Sequence, residues 1–255
     1  MSTTMRLDRL LANMGYGSRR DVQQMVRHGC VVLDGVEVAD AEMRLPVTPA
    51  LVDRIQVNGA ALDPPPGMAL MLHKPLGVTC SHKETGGLVY DLLPGRWRMR
   101  EPALSTVGRL DKETSGLLLL TDDGGLLHRI ISPKKHVSKR YLATLARPLE
   151  GHETDRFASG ELMLEGEEKP LLPAKLEPLS ERQAWLTITE GRYHQVRRMF
   201  AAIGNHVEAL HRDRVGALDL PADLAPGELR LMTPDDVAAV FAGGVLSIGR
   251  EGEPA

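Results

Sequence analysis

The sequence predicts a two-domain α+β protein, and three observations carry that prediction. The first sixty residues change from helical spacing to a tight hairpin signal. Asp63-Pro64-Pro65-Pro66-Gly67 is too stiff to enter a helix or a central strand, which marks a linker. Beyond it the chain reads mostly as strands, among them four consecutive leucines, Leu117 to Leu120, the length of a strand buried on both faces. The boundaries follow: a small module over 1–60, a linker over 61–67, a larger domain over 68–243 and a polar, frayed tail over 244–255.

Composition narrows the class. With 255 residues, 42% of them hydrophobic and 25% charged, the chain has the profile of a globular protein with a proper core. No apolar run approaches the ~20 residues of a membrane-spanning helix. Met1-Ser2-Thr3-Thr4 leads into a polar amphipathic stretch rather than a secretory leader, and the expected location is cytoplasmic. Cys30 and Cys80 stand alone, without C-x-x-C spacing, and read as small buried side chains rather than as a disulfide or metal site. The net charge of −3 means that a nucleic-acid partner must be held by a local basic patch.

In the small module, Leu7, Leu10, Leu11 and Met14 recur at helical spacing, and Gly15-Tyr16-Gly17 breaks the helix. Ser18-Arg19-Arg20-Asp21 has the form of a capping box. Val22, Met25 and Val26 give the second helix its apolar face, and Gly29 stops it. Residues 30–38 read as a hairpin about Asp34-Gly35, and a further strand ends near Gly59. Seven arginines and seven acids balance between Arg6 and Gly59, but Arg6, Arg9, Arg19, Arg20 and Arg27 are segregated to the helices.

In the larger domain, Ala69 to Val78 gives a strand and a Lys74-Pro75-x-Gly77 turn, whose lysine either meets a phosphate or caps a loop. Residues 81–101 read mostly as loop. Then comes Val107 to Gly124, in which Asp111 sits in a polar turn directly before the leucine strand. A loop on a stiff strand is a good mount for one aimed side chain, although by spacing alone Asp111 is a turn residue or a solvated partner of Arg109 or Lys112. Leu126, Leu127, Ile130 and Ile131 predict a short helix ended by Pro133, and residues 139–145 a strand. Residues 150–173 read as a loop-rich excursion, and 184–189 alternate as a half-buried strand. Val196, Met199, Phe200 and Ile203 give a clean helical face closed by Gly204-Asn205. Further strand runs through Leu220 and Leu229, and Thr233-Pro234-Asp235-Asp236 caps a last helix.

The string Gly108-Arg109-Leu110-Asp111-x-x-Thr114-Ser115-Gly116-Leu117-Leu118-Leu119 resembles the catalytic signature of the RsuA and RluA families of pseudouridine synthases. The Lys74-Pro75 turn, Lys139-Arg140-Tyr141 and Gly191-x-x-His194-Gln195-Val196-Arg197 match the family pattern in the same order. The helix pair and hairpin of the small module resemble the S4 (αL) RNA-binding domain. The resemblance implies a catalytic domain built on a mixed, mainly antiparallel sheet, and a reaction that needs no cofactor and no metal. Uracil is detached from ribose at N1, turned and rejoined through C5. That chemistry wants an ionised carboxylate with a cation close by to offset its desolvation.

The resemblance gives these roles to Asp111 as the indispensable carboxylate and to Arg197 as the cation, with Arg198 as the fallback. Tyr141 is the aromatic that lies on the flipped base, and Arg109 fills the space that the base vacates. RNA contacts are expected from Lys74, His194 and Arg198 and from the five helix arginines. The run from Glu190 to Val207, with Leu210-His211-Arg212, is similar to the RsuA branch, which acts on 16S ribosomal RNA. Arg197 departs from the lysine of that branch and matches the large-subunit branch. The expected partner is therefore ribosomal RNA or an assembling 30S particle, met by a monomer. A synthase acting on 23S RNA and a non-catalytic S4 assembly factor are the alternatives.

Overall fold

A computed structural model describes residues 4–81 and 86–242. The tail expected beyond Gly243, and part of the loop expected over 81–101, lie outside them. Leu7, Leu10, Leu11 and Met14 are all fully buried, on and just after the helix Leu7–Asn13. The second helix, Arg19–Arg27, packs on it with Val22 and Val26 inward. Its capping box is complete: the Ser18 hydroxyl accepts from the Asp21 amide, and the Asp21 carboxylate accepts from the Ser18 amide at 2.8 Å. Val31–Leu33 and Val36–Glu37 form the hairpin, and Ile55–Val57 adds to it antiparallel. Four short elements are additional to the sequence reading. Thr4–Arg6 pairs with Arg44–Pro46, Leu51–Arg54 is a single helical turn, and Ala60–Ala61 pairs with Ile55–Val57. All are too short for any periodicity to show.

Asp8 is the polar centre of this module. Its side chain is fully buried and accepts from Arg6, Arg19 and Gln23. Burial pushes its carboxyl up, but the three donors more than offset this and bring it to about 2. A carboxylate held below its unfolded value stabilises the fold above that value, and the contribution is lost as pH falls through the folded one. The stability advantage of wild type over Asp8→Asn is therefore expected to be complete above about pH 4 and to disappear by about pH 2. Urea midpoints measured across that window check it, and a constant gap would sink the assignment.

Beside a small parallel pair, Val78–Thr79 with Gly87–Leu88, the larger domain is built on one mixed sheet, whose main path runs in the order 175–180, 183–188, 139–145, 207–215, 114–121, 69–74, 229–231. Only the pairing of Thr114–Thr121 with Val207–Val215 is parallel within it, so the sheet is mainly antiparallel, as expected. The leucine run explains the layering. Leu118 and Leu120 enter a core with Tyr141, Phe157 and Phe200, while Leu117 and Leu119 enter a second core under the helices Gly124–Ile131 and Pro234–Ala242. Alternation across one strand thus feeds both layers. At Gly116, φ is +113°, and a Cβ would run into the backbone of Arg212 on the neighbouring strand. That close approach requires glycine at this point of the strand.

The excursion expected over 150–173 contains a helix, Glu153–Ala158, whose Phe157 meets Phe200 edge to face at 5.2 Å. The Glu153 carboxylate folds back to accept from the amides of Glu150 and Gly151, which fixes the turn leading into this helix. Six residues show too little periodicity to stand out. The outer strand Lys175–Ser180 carries no strand signal in the sequence, because it contains Pro178, which is tolerated only at such an edge.

The small module is docked on the larger domain. Tyr16 accepts from the Asp63 amide at 3.0 Å, and Asn13 accepts from the Glu101 amide at 2.7 Å. Arg96 pairs with Asp63 and lies 4.3 Å over the Tyr16 ring. The linker is pinned at its far end, where the Gly67 amide donates to Asp122 at 2.8 Å. Asp122 is also the partner of Arg100, and both side chains are buried.

Candidate active site

Asp111 lies in the turn that leads from Ser105–Thr106 into Thr114–Thr121, closed by the Thr114 amide donating to the Asp111 carbonyl at 3.0 Å. A second loop supports it. The buried Lys74 ammonium donates to the carbonyls of Thr114, at 2.8 Å, and Pro75, at 3.1 Å, and the Gly77 amide donates to the Lys112 carbonyl. The expectation that Lys74 meets a phosphate is therefore corrected. Fully enclosed, it holds the Asp111 turn to the Lys74-Pro75-x-Gly77 turn.

The opposite wall is the start of the helix Gln195–Ala202. His194 precedes it with φ +47°, a left-handed conformation uncommon outside glycine and often found where a site demands it. Gln195 is buried and fixes the entry, accepting from the Arg192 amide at 2.8 Å and donating to Glu190 at 3.0 Å. His194 Nε2 thereby sits 3.3 Å from Asp111 Oδ1, with the Tyr193 ring stacked on the imidazole at 3.9 Å. His194, expected only as an RNA contact, is the basic group nearest to Asp111 among the described residues.

Arg197 lines the same cleft but makes no ion pair with Asp111 within 4.0 Å. Its guanidinium donates to the carbonyls of Val207, at 2.8 Å, and Glu113, at 2.9 Å, so it ties the helix to the Asp111 loop. The expected cation role is not expressed in this arrangement, because two carbonyls satisfy the fork. Arg198 turns away to Glu167 and to the Glu165 and Tyr193 carbonyls, which removes it as the fallback. Arg109 is exposed at the rim.

These groups surround a cleft of about 470 Å³. Tyr141, 8% exposed, forms part of its wall, with its hydroxyl 3.4 Å from an Arg212 Nη. Lys139 and Arg212 also line it, and no role had been assigned to either. A signal existed for Lys139, which stands two residues before Tyr141 and so shares its strand face. Arg212 gave none, since its burial depends on strand pairing. Among the described residues no cluster of three or more His, Cys, Asp or Glu could hold a metal ion, and Cys30 and Cys80 are free thiols, the first only half-buried.

In the small module, Arg6 and Arg19 are tied to Asp8, and Arg6 also to Glu42. Arg9, Arg20 and Arg27 are exposed. The expected basic face therefore rests mainly on these last three.

Comparison with known proteins places this geometry. Residues 69–202 match the model of the RNA pseudouridylate synthase family, and residues 5–48 match the S4 domain. Over 239 residues the chain is 42% identical to the ribosomal small subunit pseudouridine synthase A of Escherichia coli (strain K12), covering 92% of this chain and all of that protein. The Vibrio cholerae protein of the same name is 39% identical over 237 residues, again across its full length. A solved pseudouridylate synthase structure superposes with a TM-score of 0.65 at 37% identity, covering 92% of this chain and 99% of that one. No helix among the described residues is long and apolar enough to cross a membrane. The chain belongs to the RNA pseudouridylate synthase family, in its S4-bearing, RsuA-like form.

Proposed function

We propose that this chain isomerises one uridine of 16S ribosomal RNA to pseudouridine, with Asp111 as its catalytic carboxylate. The observation that carries the reading is the placement of Asp111 at a cleft walled by Tyr141 and closed by His194, in a chain aligned end to end with small-subunit synthases. The reaction breaks the C1′–N1 bond, rotates uracil and forms C1′–C5, with the C5 proton lost and N1 regaining one. Asp111 either attacks C1′ or takes the C2′ proton, and both routes need an ionised, half-shielded carboxylate; its side chain is 31% exposed. His194, when protonated, stabilises that charge at 3.3 Å. Tyr141 offers a face for the flipped base, a contact worth about 1–3 kcal/mol, and is a candidate to remove the C5 proton. Arg109, exposed at the rim, is placed to fill the gap left in the RNA.

The exposed Arg9, Arg20 and Arg27 supply backbone contacts at a distance from the cleft. The enzyme is read as a monomer that works in the cytoplasm, where its ribosomal RNA substrate is found. The arginine at position 197 favours a second reading, the same reaction on 23S RNA. Site-resolved pseudouridine mapping of both ribosomal RNAs, in cells with and without this protein, decides. Loss of one 16S site on deletion is expected. Loss of a 23S site instead moves the substrate, and no lost site overturns the reading in favour of an assembly factor.

A further inference from the structure

We infer that Lys139 and Arg212 form an anion subsite in the wall of the cleft that takes a backbone phosphate flanking the target nucleotide. The inference rests on the reading that the cleft receives a nucleotide of RNA. Register brings the two together. Lys139 and Tyr141 share a strand face, Tyr141 pairs directly with Arg212 on the next strand, and all three line the cleft.

Arg212 is 4% exposed, yet among the described residues no carboxylate lies within 4.0 Å of it. Its Nε donates to the Leu117 carbonyl at 2.8 Å and one Nη approaches the Tyr141 hydroxyl, both uncharged partners. The comparably buried Arg100 has Asp122. A buried guanidinium without a counter-ion is costly, unless the anion arrives with a ligand.

Lys139 repeats the pattern. Its ammonium makes no hydrogen bond or ion pair with the described residues. The carboxylate that acts on it, Glu190, is engaged elsewhere, by Arg192 at 3.2 Å, Gln195 at 3.0 Å and the Leu172 amide at 2.9 Å. Burial, and then the neighbouring Arg212, lower Lys139 to about 8, the strain of two cations side by side. Uracil is neutral and cannot offset two like charges. A phosphodiester can, and its paired oxygens suit a guanidinium fork with a point-charge ammonium beside it.

The test is a chemical double-mutant cycle on the full chain. Short 16S fragments carry a neutral methylphosphonate either 5′ or 3′ of the target uridine, and both affinity and isomerisation rate are measured. For wild type, one of the two linkages is expected to cost about 10–100-fold in affinity, the range of hydrogen bonds to charged groups. In Lys139→Gln the same linkage is expected to cost under about threefold, because the partner is already gone. Arg212→Lys is the second variant, and the Lys139 cycle stands if that one misfolds. Indifference of wild type to both linkages, or an undiminished penalty in Lys139→Gln, overturns the subsite. If wild type binds but does not isomerise the all-phosphate fragment, the proposed function falls while the affinity cycle still judges the subsite.

Discussion

Asp111→Asn is expected to slow pseudouridine formation by about 10⁴-fold or more while leaving RNA affinity within about threefold of wild type. The turn that presents Asp111 is closed by its backbone carbonyl, so an amide of the same shape leaves the loop intact. The loop is also held from outside by Lys74, Gly77 and Arg197, none of which uses the Asp111 side chain. What disappears is the charge 3.3 Å from His194, and with it both the nucleophile and the base for the sugar. Release of tritium from C5-labelled RNA reads the rate, and filter binding reads the affinity. Substantial residual turnover would remove Asp111 from the chemistry. Equal losses of rate and affinity would instead make it an RNA contact.

Asp122→Ala is expected to destabilise the protein by about 3–5 kcal/mol, because it strands a buried cation. For a chain of this size that lowers the melting midpoint by roughly 6–20 °C. The side chains of Arg100 and Asp122 are 2% and 1% exposed, and Arg100 Nη1 already lacks a partner in the structure. The same carboxylate receives the Gly67 amide, so its loss also frees the end of the linker. Removing both charges tells a stranded ion from a favourable pair. The double variant Arg100→Met/Asp122→Leu is expected to recover most of the loss, since apolar replacement of a buried pair is often neutral. Calorimetry checks both, and an Asp122→Ala midpoint within about 2 °C of wild type would refute the argument.

The sequence by itself determined the elements whose signal is local. Helical spacing over Leu7 to Met14, the Ser18–Asp21 capping box, the hairpin turn and the leucine strand all stand in the structure as read. It also singled out Asp111 and Tyr141, because a family signature keeps its residues in chain order and both line the cleft. Tertiary structure decided whatever depends on which strands meet. The Tyr141–Arg212 pairing buries an arginine that no spacing marks, and the parallel pairing of Thr114–Thr121 with Val207–Val215 carries it beneath the Asp111 loop. Only the fold decided which cations are spent internally. Lys74, Arg6, Arg19, Arg197 and Arg198 are held by two or more carbonyls or by carboxylates, while Arg212 gives one N–H to a carbonyl, Lys139 none, and both line the cleft with no carboxylate within 4.0 Å among the described residues. The reason is physical: a charge in a sequence has a sign, but its availability depends on what burial and its neighbours leave unpaired.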